Sequence, residues 1–166
     1  MNLHIITTGG TIDKIYFDAK SDYQVGEPVI GDLLDSMGAQ FPYTVESAMR
    51  KDSLELTDDD RRKIRESAER CAEKQVLITH GTDGMVLTGR ALKGLAGKTI
   101  VLTGALQPAA FKGSDAIFNI GCAIGALQAA APGVYIAMNG QLFDIDNVHK
   151  NLDKNRFETL APGGTP

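Results

Sequence analysis

The sequence predicts an α/β fold, with a doubly wound, mainly parallel sheet that carries helices on both faces in a single domain. Apolar segments of strand length alternate along the chain with segments of helical periodicity. Such alternation is typical of parallel strands joined by right-handed crossovers. The chain has 166 residues, of which 43% are hydrophobic, so it is long enough to bury one real core.

Five apolar segments are predicted as strands, at residues 3–7, 43–48, 75–79, 99–103 and 134–138. The helices predicted between them cover residues 30–36, 57–73, 84–95 and 115–131. The second helix has the clearest start, because Thr57 is a favoured N-cap and the three aspartates after it suit the positive end of the helix dipole. The basic run at residues 61–63 is interpreted as a solvated helix face in preference to a phosphate site.

Two stretches show no regular pattern. Residues 13–28 contain three aromatic side chains and follow a glycine turn, so they are either a lid beside a site or a loop whose aromatic side chains pack on the surface. Residues 161–166 are rich in proline and glycine and are predicted to be a disordered tail. The predicted domain therefore covers residues 1–160.

Composition argues against nucleic-acid and membrane partners. The formal net charge is −4 and no basic stripe is present, whereas nucleic-acid binders carry one. No apolar run reaches the ~20 residues that span a bilayer. Cys71 and Cys122 lie far apart without the spacing of a zinc or redox motif, so we expect ordinary thiols in a reducing compartment. Since no signal-peptide pattern precedes the first strand, we expect a cytoplasmic protein.

Two similar turns follow predicted strands. Their sequences are TTGGTI at residues 7–12 and HGTDGM at residues 80–85. In open α/β sheets, ligands bind where loops leave the carboxyl ends of parallel strands, and glycine lets the backbone approach a bound group closely. Either turn alone is also explained by ordinary turn and cap chemistry. Their similarity favours one shared site.

Read together with LTGA at residues 102–105 and SDAIFN at residues 114–119, these turns resemble the bacterial-type L-asparaginase family of threonine amidohydrolases. The resemblance extends from about residue 3 to residue 151 and covers the family's N-terminal domain. It implies hydrolysis of L-asparagine to L-aspartate and ammonia without a cofactor. It also implies a homo-oligomer, either a dimer or a tetramer.

The resemblance assigns catalytic roles to five residues. Thr11 corresponds to the nucleophile, and Tyr23 to the lid tyrosine beside it. Thr82, Asp83 and Lys150 correspond to a second threonine with its carboxylate and lysine. A threonine hydroxyl is a poor nucleophile until a neighbouring group accepts its proton, which this set can do. Whether the first threonine is acylated or positions a direct attack by water stays open.

The resemblance also places the substrate beside both turns and one further loop, in contact with Gly10, Ser53, Gly81, Thr82 and Asp83. Backbone amides beside the two threonines would stabilise the oxyanion formed at the attacked carbon. Ser53 corresponds to the serine that contacts the substrate α-carboxylate. The chain departs from the family at Leu54, where longer relatives commonly carry glutamine, and because the resemblance covers only the N-terminal domain we expect the substrate site to be built without contacts from the family's C-terminal domain. Both departures are expected to alter substrate affinity.

Alternatives remain for several assignments. Tyr16 competes with Tyr23 as the activating tyrosine because both lie in the same loop, and Lys150 is by composition a typical surface lysine. His80 is expected to be structural. His4 and His149 have no metal-like spacing, so no metal is assigned.

Other functions also compete with asparagine hydrolysis. Glutaminase activity is a close variant, since one methylene is discriminated by only about 1–3 kcal/mol. A non-catalytic amino-acid-binding or sensor domain is the main alternative. A nucleotide-binding module is disfavoured, because the first turn lacks both the Rossmann spacing and the P-loop lysine.

Overall fold

The computed structural model describes residues 1–161. Within these residues, ten strands occur in chain order: β1 Leu3–Gly9, β2 Lys14–Phe17, β3 Asp22–Val25, β4 Tyr43–Lys51, β5 Gln75–Thr79, β6 Thr99–Thr103, β7 Gly133–Met138, β8 Gln141–Asp144, β9 Val148–Asn151 and β10 Arg156–Thr159. The helices are α1 Ile30–Ser36, α2 Asp58–Arg70, α3 Met85–Ala91 and α4 Ala116–Ala129. Of the predicted disordered tail, residues 162–166 lie outside the described part of the chain.

One six-stranded sheet forms the centre of the molecule, in the order β4-β1-β5-β6-β7-β8. The first five strands of this order are parallel, and β8 adds to the edge in the antiparallel direction. The parallel strands follow the flavodoxin-like order 2-1-3-4-5. The predicted α/β class with a mainly parallel sheet is confirmed.

The helices cover both faces of this sheet because neighbouring strand residues point in opposite directions. Ile6 and Ile78 belong to a core cluster that includes Ile64 of α2 and Met85 of α3. The residues that precede those two isoleucines, Ile5 and Leu77, belong to the opposite cluster, with Leu34 of α1 and Leu127 of α4. The central strands therefore read as continuous apolar runs, as expected for a sheet buried on both sides.

The start of α2 follows the predicted cap. The Thr57 hydroxyl accepts a hydrogen bond from the Asp60 backbone amide, and the Asp60 carboxylate accepts one from the Thr57 amide, which together form a capping box. Lys51 also donates to Asp60 at 2.8 Å. That hydrogen bond is the largest of the influences that lower the pKa of Asp60 to about 2.

Several sequence-based expectations were wrong in detail. Residues 13–28 are not an irregular loop, because β2 and β3 pair as an antiparallel hairpin within them. The edge strand β8 and the β9–β10 hairpin were not predicted. Helices α2, α3 and α4 all end earlier than predicted. Among the described residues, no helix is long and apolar enough to cross a membrane.

The interpretation of residues 61–63 as a solvated face holds for two of the three side chains. Arg62 and Lys63 are well exposed, but only 13% of the Arg61 side chain is accessible. Arg61 lies in the groove between α2 and α3, beside Leu87, and donates to Asp58 at 3.1 Å. Arg61 is less exposed than Arg62 and Lys63 because it lies on the side of α2 that faces α3. The packing of these two helices could not be inferred from the local sequence.

Candidate active site

The candidate site lies where the sheet order reverses direction. Strand β1 has β4 on one side and β5 on the other, so the turns after β1 and β5 leave the sheet next to each other at the carboxyl edge. Crevices at such switch points are where open α/β sheets bind ligands. The two threonine-bearing turns singled out in the sequence are these two turns.

The two turns touch at their glycines. A Cβ added to Gly10 would lie 2.5 Å from the Gly81 Cα and backbone nitrogen, closer than any side chain allows. Gly10 also has a φ of +90°, a conformation that glycine adopts at little cost. The turns after β1 and β5 therefore approach this closely only because residue 10 is glycine.

Thr82, Asp83 and Lys150 form a connected polar group. The Lys150 ammonium donates to the Thr82 hydroxyl at 2.7 Å and also forms an ion pair with Asp83. Strand β9 delivers this lysine from the far end of the chain, 68 residues away in sequence, and only 7% of its side chain is exposed. The structure thus brings Lys150 into contact with Thr82 and Asp83, a connection that the sequence indicated only through family resemblance.

Ser53 joins the same turn from the other side. It begins a short 3-10 turn after β4 and is almost fully buried. Its hydroxyl accepts a hydrogen bond of 3.0 Å from the Gly84 amide, and a Cβ on Gly81 would approach its Oγ to 2.6 Å. The next residue, Leu54, points to solvent with 76% of its surface exposed. Ser53 therefore lines the candidate site and Leu54 does not pack into it.

Thr11 begins the 3-10 turn Thr11–Asp13 and is partly buried. Within residues 1–161 its hydroxyl makes no hydrogen bond. Two residues on, Asp13 is buried and its carboxylate accepts from the Val29 amide at 3.0 Å. Burial is the largest influence that raises the pKa of Asp13 to about 6. The Thr11 turn is thus held in place by its buried neighbour Asp13.

Tyr23 lies on the β2–β3 hairpin, and 46% of its surface is exposed. Its ring meets Tyr16 across the hairpin at a centroid distance of 5.4 Å and Phe111 of the β6–α4 loop at 5.8 Å, both edge to face. Among the described residues, the Tyr23 hydroxyl has no hydrogen-bond partner. The structure therefore gives Tyr23 and Tyr16 neighbouring positions on the hairpin, and neither hydroxyl makes a polar contact with Thr11 within the described residues.

The family profile described as "Asparaginase, N-terminal" matches residues 2–163. The chain belongs to the asparaginase family. It is 29% identical over 175 residues to a glutamyl-tRNA(Gln) amidotransferase subunit of Methanococcus vannielii, covering 95% of this chain and 39% of that protein. It is 28% identical over 181 residues to the glutaminase-asparaginase of Acinetobacter glutaminasificans, covering 98% of this chain and 54% of that protein.

The thermostable L-asparaginase from Thermococcus kodakarensis has a similar fold, with a TM-score of 0.79 at 24% identity over 96% of this chain and 51% of that one. The asparaginase-family chain described here therefore spans between 39% and 54% of the length of these three proteins.

The remaining motifs of this asparaginase-family chain have structural partners. His80 is fully buried, with its ring nitrogens 2.7 Å from the Gly81 carbonyl and from the Thr88 hydroxyl. Burial lowers its pKa to about 4, so the ring is neutral at physiological pH. Asn119 of α4 is also buried and bonds to the Gly104 carbonyl and the Asn139 amide. Asn119 therefore links the turns after β6 and β7, and the His80 ring links the turn after β5 to α3.

Sequence reasoning missed two residues near the site. Asp13 was passed over because an aspartate after a glycine turn is a common turn residue, and only the fold shows that it is buried. Phe111 was passed over because it stands alone in a polar loop. The aromatic side chains in residues 13–28 were the one signal that could have suggested a packing partner such as Phe111.

Proposed function

We propose that this chain is an amidohydrolase that converts L-asparagine to L-aspartate and ammonia, with Thr11 as the nucleophile. The observation that carries the proposal is the connected group of Thr82, Lys150 and Asp83 beside the Thr11 turn, in which the Thr82 and Lys150 side chains are buried and the Asp83 carboxylate is partly exposed. A buried lysine in contact with a hydroxyl and a carboxylate is an arrangement suited to proton transfer. Membership of the asparaginase family supports the choice of an amide as the bond broken.

In the proposed reaction, the Thr11 oxygen forms a bond to the amide carbon and its proton passes to Lys150, which would act as the base in its neutral amine form while Asp83 orients it. Backbone amides of the two touching turns would stabilise the oxyanion, an effect often worth about 3 kcal/mol per donor. The carbon–nitrogen bond then breaks and ammonia leaves with the proton. Water hydrolyses the resulting ester to aspartate. Direct attack by water, with Thr11 as an orienting group, is the competing route to the same products.

Substrate recognition is proposed to use the residues that line the turns. Ser53 is available to donate its hydroxyl proton to the α-carboxylate, because its oxygen already accepts from the Gly84 amide. Gly10, Gly81, Thr82 and Asp83 would provide the remaining contacts. The exposed Leu54 offers no hydrogen bond to the substrate, which favours weak binding.

We also propose that the chain works in the cytoplasm and as a homo-oligomer. Cys71 and Cys122 are both free thiols, which suits a reducing compartment. The hairpin that carries Tyr23 exposes several aromatic side chains, which suits closure of the site by a second copy. Light scattering of the purified chain measures the oligomeric state directly.

The test is ammonia release by the purified chain from L-asparagine and, in parallel, from L-glutamine, up to millimolar concentrations. Thr11→Ala should reduce release from asparagine to background, whereas Thr11→Ser keeps a hydroxyl and should retain part of it. Release from both amides would indicate a mixed specificity like the one named for the Acinetobacter relative. Binding of asparagine without release from either amide would favour the amino-acid-binding or sensor function.

A further inference from the structure

We propose that Phe111 is a positioning residue of the reaction, which holds the Tyr23 ring and with it the β2–β3 hairpin over the Thr11 turn. The inference rests on the proposed function and names a residue that neither the motifs nor the family resemblance assign. Three observations carry it: the attachment of the hairpin mainly near its base, the direction in which Tyr23 faces, and the firm attachment of the loop that presents Phe111.

The hairpin is attached to the rest of the molecule mainly near its base, where the Lys14 ammonium also donates to the Asp52 carboxylate at 3.2 Å. Its strands β2 and β3 pair only with each other, outside the six-stranded sheet. At its base, the Gly26 amide donates to the Asp13 carbonyl at 2.8 Å and the Val29 amide donates to the Asp13 carboxylate. Toward the tip, the side chains of Tyr16 and Phe17 are exposed. The position of the upper hairpin therefore depends on side-chain contacts.

Tyr23 faces the turn that carries Thr11. Val25, two residues farther along β3, lies against the β1 turn, since a Cβ on Gly9 would be 2.9 Å from its Cγ1. Side chains two apart on a strand share one face, so Tyr23 is on the same face of the hairpin as Val25. The hairpin face that bears Tyr23 is thus directed at the Gly9 to Thr11 turn.

The loop that presents Phe111 is fastened to that same turn. The Ala109 amide donates to the Ile12 carbonyl at 3.1 Å, next to Thr11. The Leu106 amide donates to the Asp115 carboxylate at 3.0 Å, and the Phe111 amide donates to the Pro108 carbonyl at 2.9 Å. Phe111 therefore presents its ring from a firmly attached loop, 5.8 Å from the ring of Tyr23, and the hairpin can pack against it.

An edge-to-face pair of this kind shifts a two-state equilibrium by about 2- to 10-fold. Phe111→Ala should therefore lower kcat/KM for asparagine by about that factor. Phe111→Tyr keeps the ring and should restore the wild-type value. Because Phe111 is 42% exposed, the alanine variant should melt within about 2 °C of the wild type. Phe118→Ala removes another exposed phenylalanine, on α4, and is the matched control.

A second measurement does not depend on catalysis. The chain contains no tryptophan, so Tyr16→Trp places a single fluorophore on the hairpin, beside Tyr23. Adding Phe111→Ala to this protein should increase acrylamide quenching of that tryptophan, and adding Phe118→Ala should not.

The possible outcomes distinguish the positioning role of Phe111 from the proposed amidohydrolase function. Unchanged quenching, or wild-type kcat/KM in Phe111→Ala, would overturn the role of Phe111. Increased quenching in a protein that releases no ammonia would overturn the proposed function and still support the contact. Equal losses of activity in the Phe111 and Phe118 variants would also overturn the positioning role, because the effect would then not be specific to the hairpin.

Discussion

Replacing Asp13 with asparagine removes a carboxylate that the fold buries at the base of the β2–β3 hairpin. Burial raises its pKa from 3.8 to about 6, although the hydrogen bond from the Val29 amide and the charge of Arg50 act in the opposite direction. One carboxylate oxygen, Oδ2, has no hydrogen-bond partner within the described residues. The ionised form of Asp13 is therefore poorly accommodated in the folded chain.

The sign of the effect follows from the two pKa values. Between pH 3.8 and about 6, the folded protein keeps a proton that the unfolded chain has released, so folding becomes less favourable as the pH rises. Above about pH 6 the penalty is constant at roughly 3 kcal/mol. Asp13→Asn lacks this penalty at every pH. Its amide adds an offset that does not depend on pH, because a buried NH₂ group lacks the acceptor that it needs.

The assay is urea unfolding of both proteins at intervals from pH 4 to pH 8. The free energy of unfolding of Asp13→Asn, measured relative to the wild type, should rise by about 2–3 kcal/mol between pH 4 and pH 6 and then level off. Asp153→Asn, which removes an exposed carboxylate, controls for the loss of one negative charge. A difference between wild type and Asp13→Asn that is the same at all pH values would refute the reasoning.

Three further substitutions test the fold and the site. Gly10→Ala should destabilise the chain by at least about 2 kcal/mol in urea unfolding and abolish activity, because its Cβ would meet Gly81 at 2.5 Å. Thr57→Ala removes the capping box of α2 and should cost about 1 kcal/mol by the same measurement, with kcat unchanged. Lys150→Met should lower ammonia release by at least about a hundredfold while the melting temperature stays near that of the wild type.

The sheet was predictable because its strands are buried on both faces. Their apolar segments, such as those at residues 75–79 and 99–103, stand out from the polar helices between them. The two small hairpins were not predictable, because they lie outside the main sheet and have no such apolar run. Strand β9 contributes Val148 to the core, but its other residues are polar and partly exposed. Local sequence therefore carries little signal for these strands.

The candidate site was only partly predictable, because some of its residues are identified by local sequence and others come together only in the folded chain. The two turns after β1 and β5 could be located from glycine and threonine alone, because turn chemistry is local. The contact between Thr82 and Lys150 joins residues that are 68 positions apart, and nothing in the residues around Lys150 indicates that it is buried. Only the family resemblance pointed to this lysine. The Phe111–Tyr23 contact joins the β6–α4 loop to the β2–β3 hairpin. Neither the sequence nor the family resemblance pointed to it.

The most direct test of the account is the rate of ammonia release from L-asparagine by the wild-type chain and by Thr82→Val. Valine has nearly the same shape as threonine but cannot accept the hydrogen bond that Lys150 donates to the hydroxyl. We predict rapid release by the wild type and at least about a hundredfold loss in the variant, with unchanged folding. If Thr82→Val kept most of the wild-type rate while Thr11 was intact, the proposed role of the Thr82, Lys150 and Asp83 group would be contradicted.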